Sequence, residues 1–202
     1  MNKEQKIKKL FEKANEAISS KKWNEAHDLW ELIDKKLPEN FGIMMNLAAC
    51  KNHLGFYQEA REIYIRSKKI SPLNISIVYG IALTYEGEGD FDNALKEYEK
   101  CLKINKDHFD SILKIAKIYK IKNKEDVSLK LYKHLSKVYP ERMDIKAEIA
   151  LTLHNLNETH ESEKILKEIL LKDPKNEIAK KVLSAIYQKE KEIKLESEKK
   201  IK

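Results

Sequence analysis

Residues 75–108 read ISIVYGIALTYEGEGDFDNALKEYEKCLKINKDH, and this stretch decides the fold. Its first half is apolar at Ile77, Val78, Ile81, Ala82 and Tyr85, the three- and four-residue steps of an α-helix. Gly87-Glu88-Gly89 breaks the pattern, and Ala94, Leu95, Tyr98, Cys101 and Leu102 resume it. The spacing predicts two helices joined by a glycine turn.

The prolines carry this reading outward. Pro38, Pro72, Pro140 and Pro174 are the only four, separated by 34, 68 and 34 residues, so all share one phase of a 34-residue period. Counted from Ile7, the chain divides without insertion or deletion into 7–40, 41–74, 75–108, 109–142 and 143–176, with a lead-in at 1–6 and a segment 177–202 behind. The eighth position reads Ala14, Ala48, Ala82, Ala116, Ala150, with Ser184 in the last segment. The twentieth reads Ala26, Ala60, Ala94, Ser128, Ser162, and the twenty-fourth Trp30, Tyr64, Tyr98, Tyr132, Leu166. Small residues at the eighth and twentieth positions let two antiparallel helices approach where leucine would hold them apart. The twenty-fourth residue fills the wedge towards the next pair. Proline stops the second helix, having no N–H to give. Asn40, Asn74 and Asn176 stand where they can cap the helix that follows.

This pattern resembles the tetratricopeptide repeat family, most closely in Gly89-Asp90-Phe91-Asp92-Asn93-Ala94, Tyr98 and Cys101-Leu102. The resemblance covers residues 7–176 and the helix after them. It implies an all-α, right-handed superhelical α-solenoid of antiparallel helix pairs. Lys106 in place of proline, Lys51 in place of an apolar residue, Ser128 and Ser162 in place of alanine, and Asn123 and Asn157 in place of the turn glycine are departures. Residues 177–202 are expected to form a capping helix, with Ile178, Val182, Leu183, Ile186 and Tyr187 as its apolar stripe. A charged tail with scattered Ile193, Leu195 and Ile201 is expected to continue it into solvent.

The composition is 42% hydrophobic and 36% charged over 202 residues, with only 5 Gly, which excludes collagen-like and disordered classes. No apolar run approaches the roughly 18 residues of a membrane span, and no signal-peptide core follows Met1. Two cysteines, Cys50 and Cys101, make no disulfide framework, so a cytoplasmic location is expected. The net charge is +7, yet Arg61, Arg66 and Arg142 are the only arginines, and lysine cannot supply the forked donor of a base reader.

Catalytic chemistry is missing from the pattern. Gly87-Glu88-Gly89 is a helix-to-helix turn, not a phosphate loop. Cys50 and His53 stand three apart, but two ligands without a second pair do not make a zinc site. Cys101 falls at a packing position, and His27, His53, His108, His134, His154 and His160 share no repeat position. No nucleophile–base arrangement is present, so no enzyme, cofactor or metal is expected.

Function must come from a surface. In the family, the second, fifth, sixth, ninth, twelfth and thirteenth residues of each first helix line a concave groove. The resemblance therefore implies a peptide-binding groove of Phe11, Asn15, Met45, Asn46, Ala49, Tyr79, Leu83, Leu113, Lys114, Lys117, Lys120 and Leu151. Its large apolar residues suit the anchors of a bound peptide or helix. Lys114, Lys117 and Lys120 add a stripe on the fourth unit, whose net charge is +5 between neighbours at −3 and −2, and suit an acidic partner. Gly80 is expected to leave space beside Tyr79. The family's clamp for chaperone C-terminal carboxylates falls here on Phe11, Asn15, Asn46, Ser76 and Gly80, which lack every cation of that clamp.

The residues thus describe a non-catalytic scaffold that binds a protein segment in its groove. The alternative is a self-assembling scaffold whose groove takes a neighbouring copy. Nucleic acid is disfavoured, since no aromatic–basic face is present. Any RNA or DNA binding should be weak, sequence-indifferent and steeply reduced by salt. Filter binding at physiological salt checks this, and sub-micromolar selective binding would contradict it.

Overall fold

The computed structural model describes the backbone of residues 3–200 and the side chains of residues 4–189, 191 and 192. The expected tail residues Ile193, Leu195 and Ile201 lie outside the described side chains. The described residues are all helical or in short turns: α1 (Lys3–Ser19), α2 (Trp23–Asp34), α3 (Phe41–His53), α4 (Tyr57–Ile70), α5 (Ile75–Gly87), α6 (Phe91–Ile104), α7 (Phe109–Ile121), α8 (Glu125–Val138), α9 (Met143–Asn155), α10 (Thr159–Lys172) and α11 (Glu177–Lys200). α1 starts at Lys3, inside the stretch set apart as a lead-in. The chain packs as two compact units that divide after Ser111, within α7.

The first helix of every repeat ends in the same way. The fifteenth positions, Lys21, Gly55, Gly89, Asn123 and Asn157, all hold positive φ, between 53° and 86°. In each, the next N–H reaches back five residues, as from Phe56 to the Lys51 carbonyl (2.9 Å) and from Glu158 to that of Leu153 (2.9 Å). This closes the orphan carbonyls of the helix end. Asparagine at Asn123 and Asn157 replaces glycine because it tolerates this conformation; Lys21 lacks that tolerance and is strained.

The asparagine caps form as expected. The side-chain oxygens of Asn40, Asn74 and Asn176 accept from the N–H groups of Ile43 (3.3 Å), Ser76 (2.9 Å) and Ala179 (3.0 Å). The link between α2 and α3 differs from the rest. α2 stops at Asp34, earlier in its repeat than the other second helices, and Glu39 takes a φ of +58°.

The core follows the period. Ala14 and Ala26, Ala48 and Ala60, Ala82 and Ala94, Ala116 and Ser128, and Ala150 and Ser162 are all 0% exposed. Ser162 also shows that the eighth and twentieth positions face each other, because its hydroxyl donates to the Ala150 carbonyl at 2.7 Å. Ser184, the eighth residue of α11, is exposed, having no second helix to meet. The twenty-fourth residues Trp30, Tyr64, Tyr98, Tyr132 and Leu166 are buried.

In the first unit, α4 and α5 lock by rings set against glycines. A methyl carbon at Gly80 would lie 2.5 Å from the Tyr64 ring, and one at Gly87 would lie 2.3 Å from the Tyr57 ring. The two tyrosines are two turns apart on α4, the glycines two turns apart on α5, and the order is antiparallel. Gly80 thus makes room for Tyr64 of the preceding repeat, not beside Tyr79 as expected. Arg61 completes the seam, stacking 4.1 Å from the Tyr85 ring centre and gripping Glu88 through two hydrogen bonds of 2.7 and 2.8 Å.

In the second unit, α11 packs on α10 and α9 through Ala179, Val182 and Ile186, with Leu183 at the margin. Ile178 and Tyr187, expected in the stripe, are instead 49% and 44% exposed. The buried arc runs through the i, i+3, i+7 series from Ala179, and they lie to either side of it. Tyr187 donates from its hydroxyl to Glu163 at 2.9 Å.

Helix propensity alone says that Gly80→Ala should stabilise α5 by about 1 kcal/mol. Overpacking against Tyr64 should reverse the sign, for a net loss of roughly 1–2 kcal/mol in urea unfolding, and Tyr64→Leu in the same chain should recover part of it.

Candidate functional site

The residues singled out for binding divide between the two units. Phe11 and Asn15 on α1, Met45, Asn46 and Ala49 on α3, and Tyr79 and Leu83 on α5 belong to the first; Leu113, Lys114, Lys117 and Lys120 on α7 and Leu151 on α9 belong to the second. All sit on first helices, as the register requires. Each unit therefore offers a first-helix face of its own.

In the first unit, the fifth-position residues are walls rather than free anchors. Phe11 meets Trp30 edge-on at 5.3 Å between ring centres. Tyr79 lies 5.6 Å from both Tyr98 and His108. Both had been expected to line the groove; each leans towards the twenty-fourth residue of its own repeat, and an aromatic pair forms. Each is half-buried, presenting part of its ring and packing the rest. Met45 likewise packs against the core, while Asn46, Ala49 and Leu83 are half-buried and Asn15 is exposed.

Two groups outside that set shape the same face. The Tyr98 hydroxyl donates to the Glu86 carboxylate on α5. Burial, reinforced by that bond, holds the Tyr98 phenol far above its ordinary range, and burial together with the neighbouring Asp110 and Glu86 raises Tyr79 as well. Both phenols are therefore neutral donors at any physiological pH. At the far end of α3, His53 stacks on Trp23 of α2 at 3.8 Å, and burial lowers its pKa.

In the second unit the lysine stripe is partly spent. Lys120 pairs with Glu148 of α9 at 3.0 Å. Lys114 is half-buried, and Lys117 alone of the three is exposed. Burial first, then the Glu148 carboxylate, pushes the Tyr132 phenol well up. Leu151 packs against the core of α9, α10 and α11, and Ala147, a fifth-position residue, is entirely buried there. Glu86 and Glu148 were not singled out from sequence, although they occupy the twelfth and sixth positions of their helices. Applying the positional rule to every helix would have found them.

Neither cysteine is poised to react. Burial raises the Cys50 thiol to about 11, and burial likewise raises Cys101, whose thiol points to the Ile75 carbonyl. Among the described residues no group of three or more His, Cys, Asp or Glu is placed to hold a metal ion.

Residues 75–108, the stretch that decides the reading, match the tetratricopeptide repeat family model. The chain has the tetratricopeptide-repeat fold. A tetratricopeptide repeat protein from Parabacteroides merdae superposes with a TM-score of 0.72 at 20% identity, over 91% of this chain and 73% of that one. A thermophilic tetratricopeptide-repeat protein of Thermus thermophilus gives 0.67 at 14% identity, over 90% and 99%. MamA gives 0.63 at 15% identity, over 84% and 92%. At these identities the likeness is one of fold. No curated protein matches the sequence. Among the described residues no helix is long and apolar enough to cross a membrane.

Because Tyr79 packs on Tyr98, Tyr79→Ala should lower stability by roughly 1–3 kcal/mol in urea unfolding. Lys117→Glu, on an exposed side chain, should leave it unchanged within about 0.5 kcal/mol.

Proposed function

We propose that this tetratricopeptide-repeat chain is a non-catalytic interaction scaffold, working in the cytoplasm, that takes a peptide or helical segment of another protein on its first-helix face. The observation that supports it is the line of half-buried side chains on α1, α3 and α5. Phe11, Met45 and Tyr79 recur at the fifth position, with Ala49 and Leu83 at the ninth. Each keeps an apolar surface on the face that the second helices leave open. Anchoring pockets for a partner's side chains are made of such residues, because their own packing fixes them before binding and little rotamer freedom is lost. Asn46 and the Glu86–Tyr98 pair beside them supply polar groups for a bound backbone. The second unit has a first-helix face of its own, where the exposed Lys117 suits an acidic residue in a segment bound to that unit.

Met45→Ala with Leu83→Ala is the cleaner test, since it avoids the Tyr79–Tyr98 contact. A partner segment identified by affinity capture should bind this variant at least about thirtyfold more weakly by calorimetry, a loss of roughly 2 kcal/mol, with helix content unchanged. Full affinity in a folded double variant would refute the site. Recovery of this chain alone in the capture would favour self-association through the same face.

A further inference from the structure

A second surface lies on the outside of α4, away from the first-helix face. Its exposed residues fall in one stripe, Gln58, Glu59, Glu62, Ile65, Arg66, Lys69 and Ile70. The stripe is acidic in its first half, apolar at its centre and basic in its second. The helix dipole favours that order of charges. It does not account for Ile65, 50% exposed in the middle of a solvent-facing helix, nor for Ile70 at 54%. Nor does it account for the two shallow pockets that meet at Arg66. One, about 660 Å³, is lined by Glu62 and Ile65; the other, about 520 Å³, by Met44, Lys69 and Ile70.

Of this stripe's charges Glu59 is already held, by Lys51 of α3 at 2.7 Å, and charges on other second helices are held within their own helix. Glu31 on α2 pairs with Lys35, Glu97 on α6 with Lys100, and Glu163 on α10 with Lys167, each at a spacing of three or four residues. Glu62, Arg66 and Lys69 have no ion-pair partner among the described residues.

We propose that the outer face of α4 is a two-fold interface with a second copy of this chain. A pattern of acid, apolar centre and base read along one helix is complementary to itself when the second copy runs antiparallel, which is what an isologous contact requires. With the two-fold axis beside Ile65, Glu62 of each copy stands opposite Lys69 of the other. Ile65 meets its symmetry mate and the Arg66 stem, and Ile70 is carried towards the pocket lined by Glu62 and Ile65. A contact built on one helix is at the small end of specific interfaces, so the dimer forms with rising concentration. It leaves the first-helix face open and is independent of the function proposed for that face.

Sedimentation equilibrium of the full chain over a concentration series tests it. The wild type should dimerise, and Glu62→Lys or Lys69→Glu alone should weaken the dimer at least about tenfold, because each reversal creates two like-charge contacts. Mixing the two single variants should restore association, since every charge then meets its opposite. Circular dichroism should show all of them folded, these side chains being exposed. A wild type that stays monomeric at every concentration, single variants that dimerise as before, or a mixture that does not recover would each overturn the interface. Loss of the dimer in Met45→Ala with Leu83→Ala, but not in the charge variants, would place self-association on the first-helix face instead.

Discussion

The close approach of two helix backbones inside each repeat is the constraint on which the rest depends. At the eighth and twentieth positions no side chain larger than serine occurs, and every one in the five repeats is fully buried. Removing bulk at this crossing sets the distance between first and second helix. That distance decides how far the twenty-fourth residue reaches past the pair to the next one. Where serine replaces alanine its hydroxyl must find an acceptor, and Ser162 finds the Ala150 carbonyl across the crossing. The substitution keeps the spacing and adds a bond.

Between repeats the coupling is less uniform. In the first unit it runs through rings on α4 that sit over glycines on α5, strengthened by Arg61 held between Tyr85 and Glu88. Ring against bare backbone lets α4 and α5 approach where a side chain on α5 would hold them apart. In the second unit, α9, α10 and α11 meet through Ala147, Ala150, Leu166, Ile169 and Val182, an aliphatic seam without such keying. Nearest-neighbour coupling of this kind lets each unit of a repeat array have its own stability. The α4–α5 seam holds α5, the helix that also carries Tyr79 and Leu83, so part of the proposed binding face of the first unit is fixed by this contact.

The candidate site was only partly legible in the sequence. The register put every candidate on a first helix, because helical phase follows directly from a period without insertions. It did not say how deeply a fifth-position side chain would lie. Phe11 and Tyr79 are half-buried because their own repeats carry Trp30 and Tyr98 as partners, a pairing between residues nineteen positions apart. Lys120 looked like part of a positive stripe until α9 brought Glu148 beside it. Charge counted along a helix overstates the field wherever the next helix supplies the opposite sign.

What the sequence determined by itself is the all-helical repeat: which residues face their partner within a pair, the turns at Gly55 and Gly89 with Asn123 and Asn157 in the same place later, and the caps at Asn40, Asn74 and Asn176. These properties are local, set by backbone sterics, capping and a periodicity that repeats often enough to be read. The tertiary structure decided the rest. It turned Gly80 into the seat of Tyr64, set Ile178 and Tyr187 outside the arc that α11 buries, and left Ile65 in solvent with charges on either side that no neighbour satisfies. Such outcomes depend on which helix lies opposite and how closely, and those distances come from packing many side chains at once.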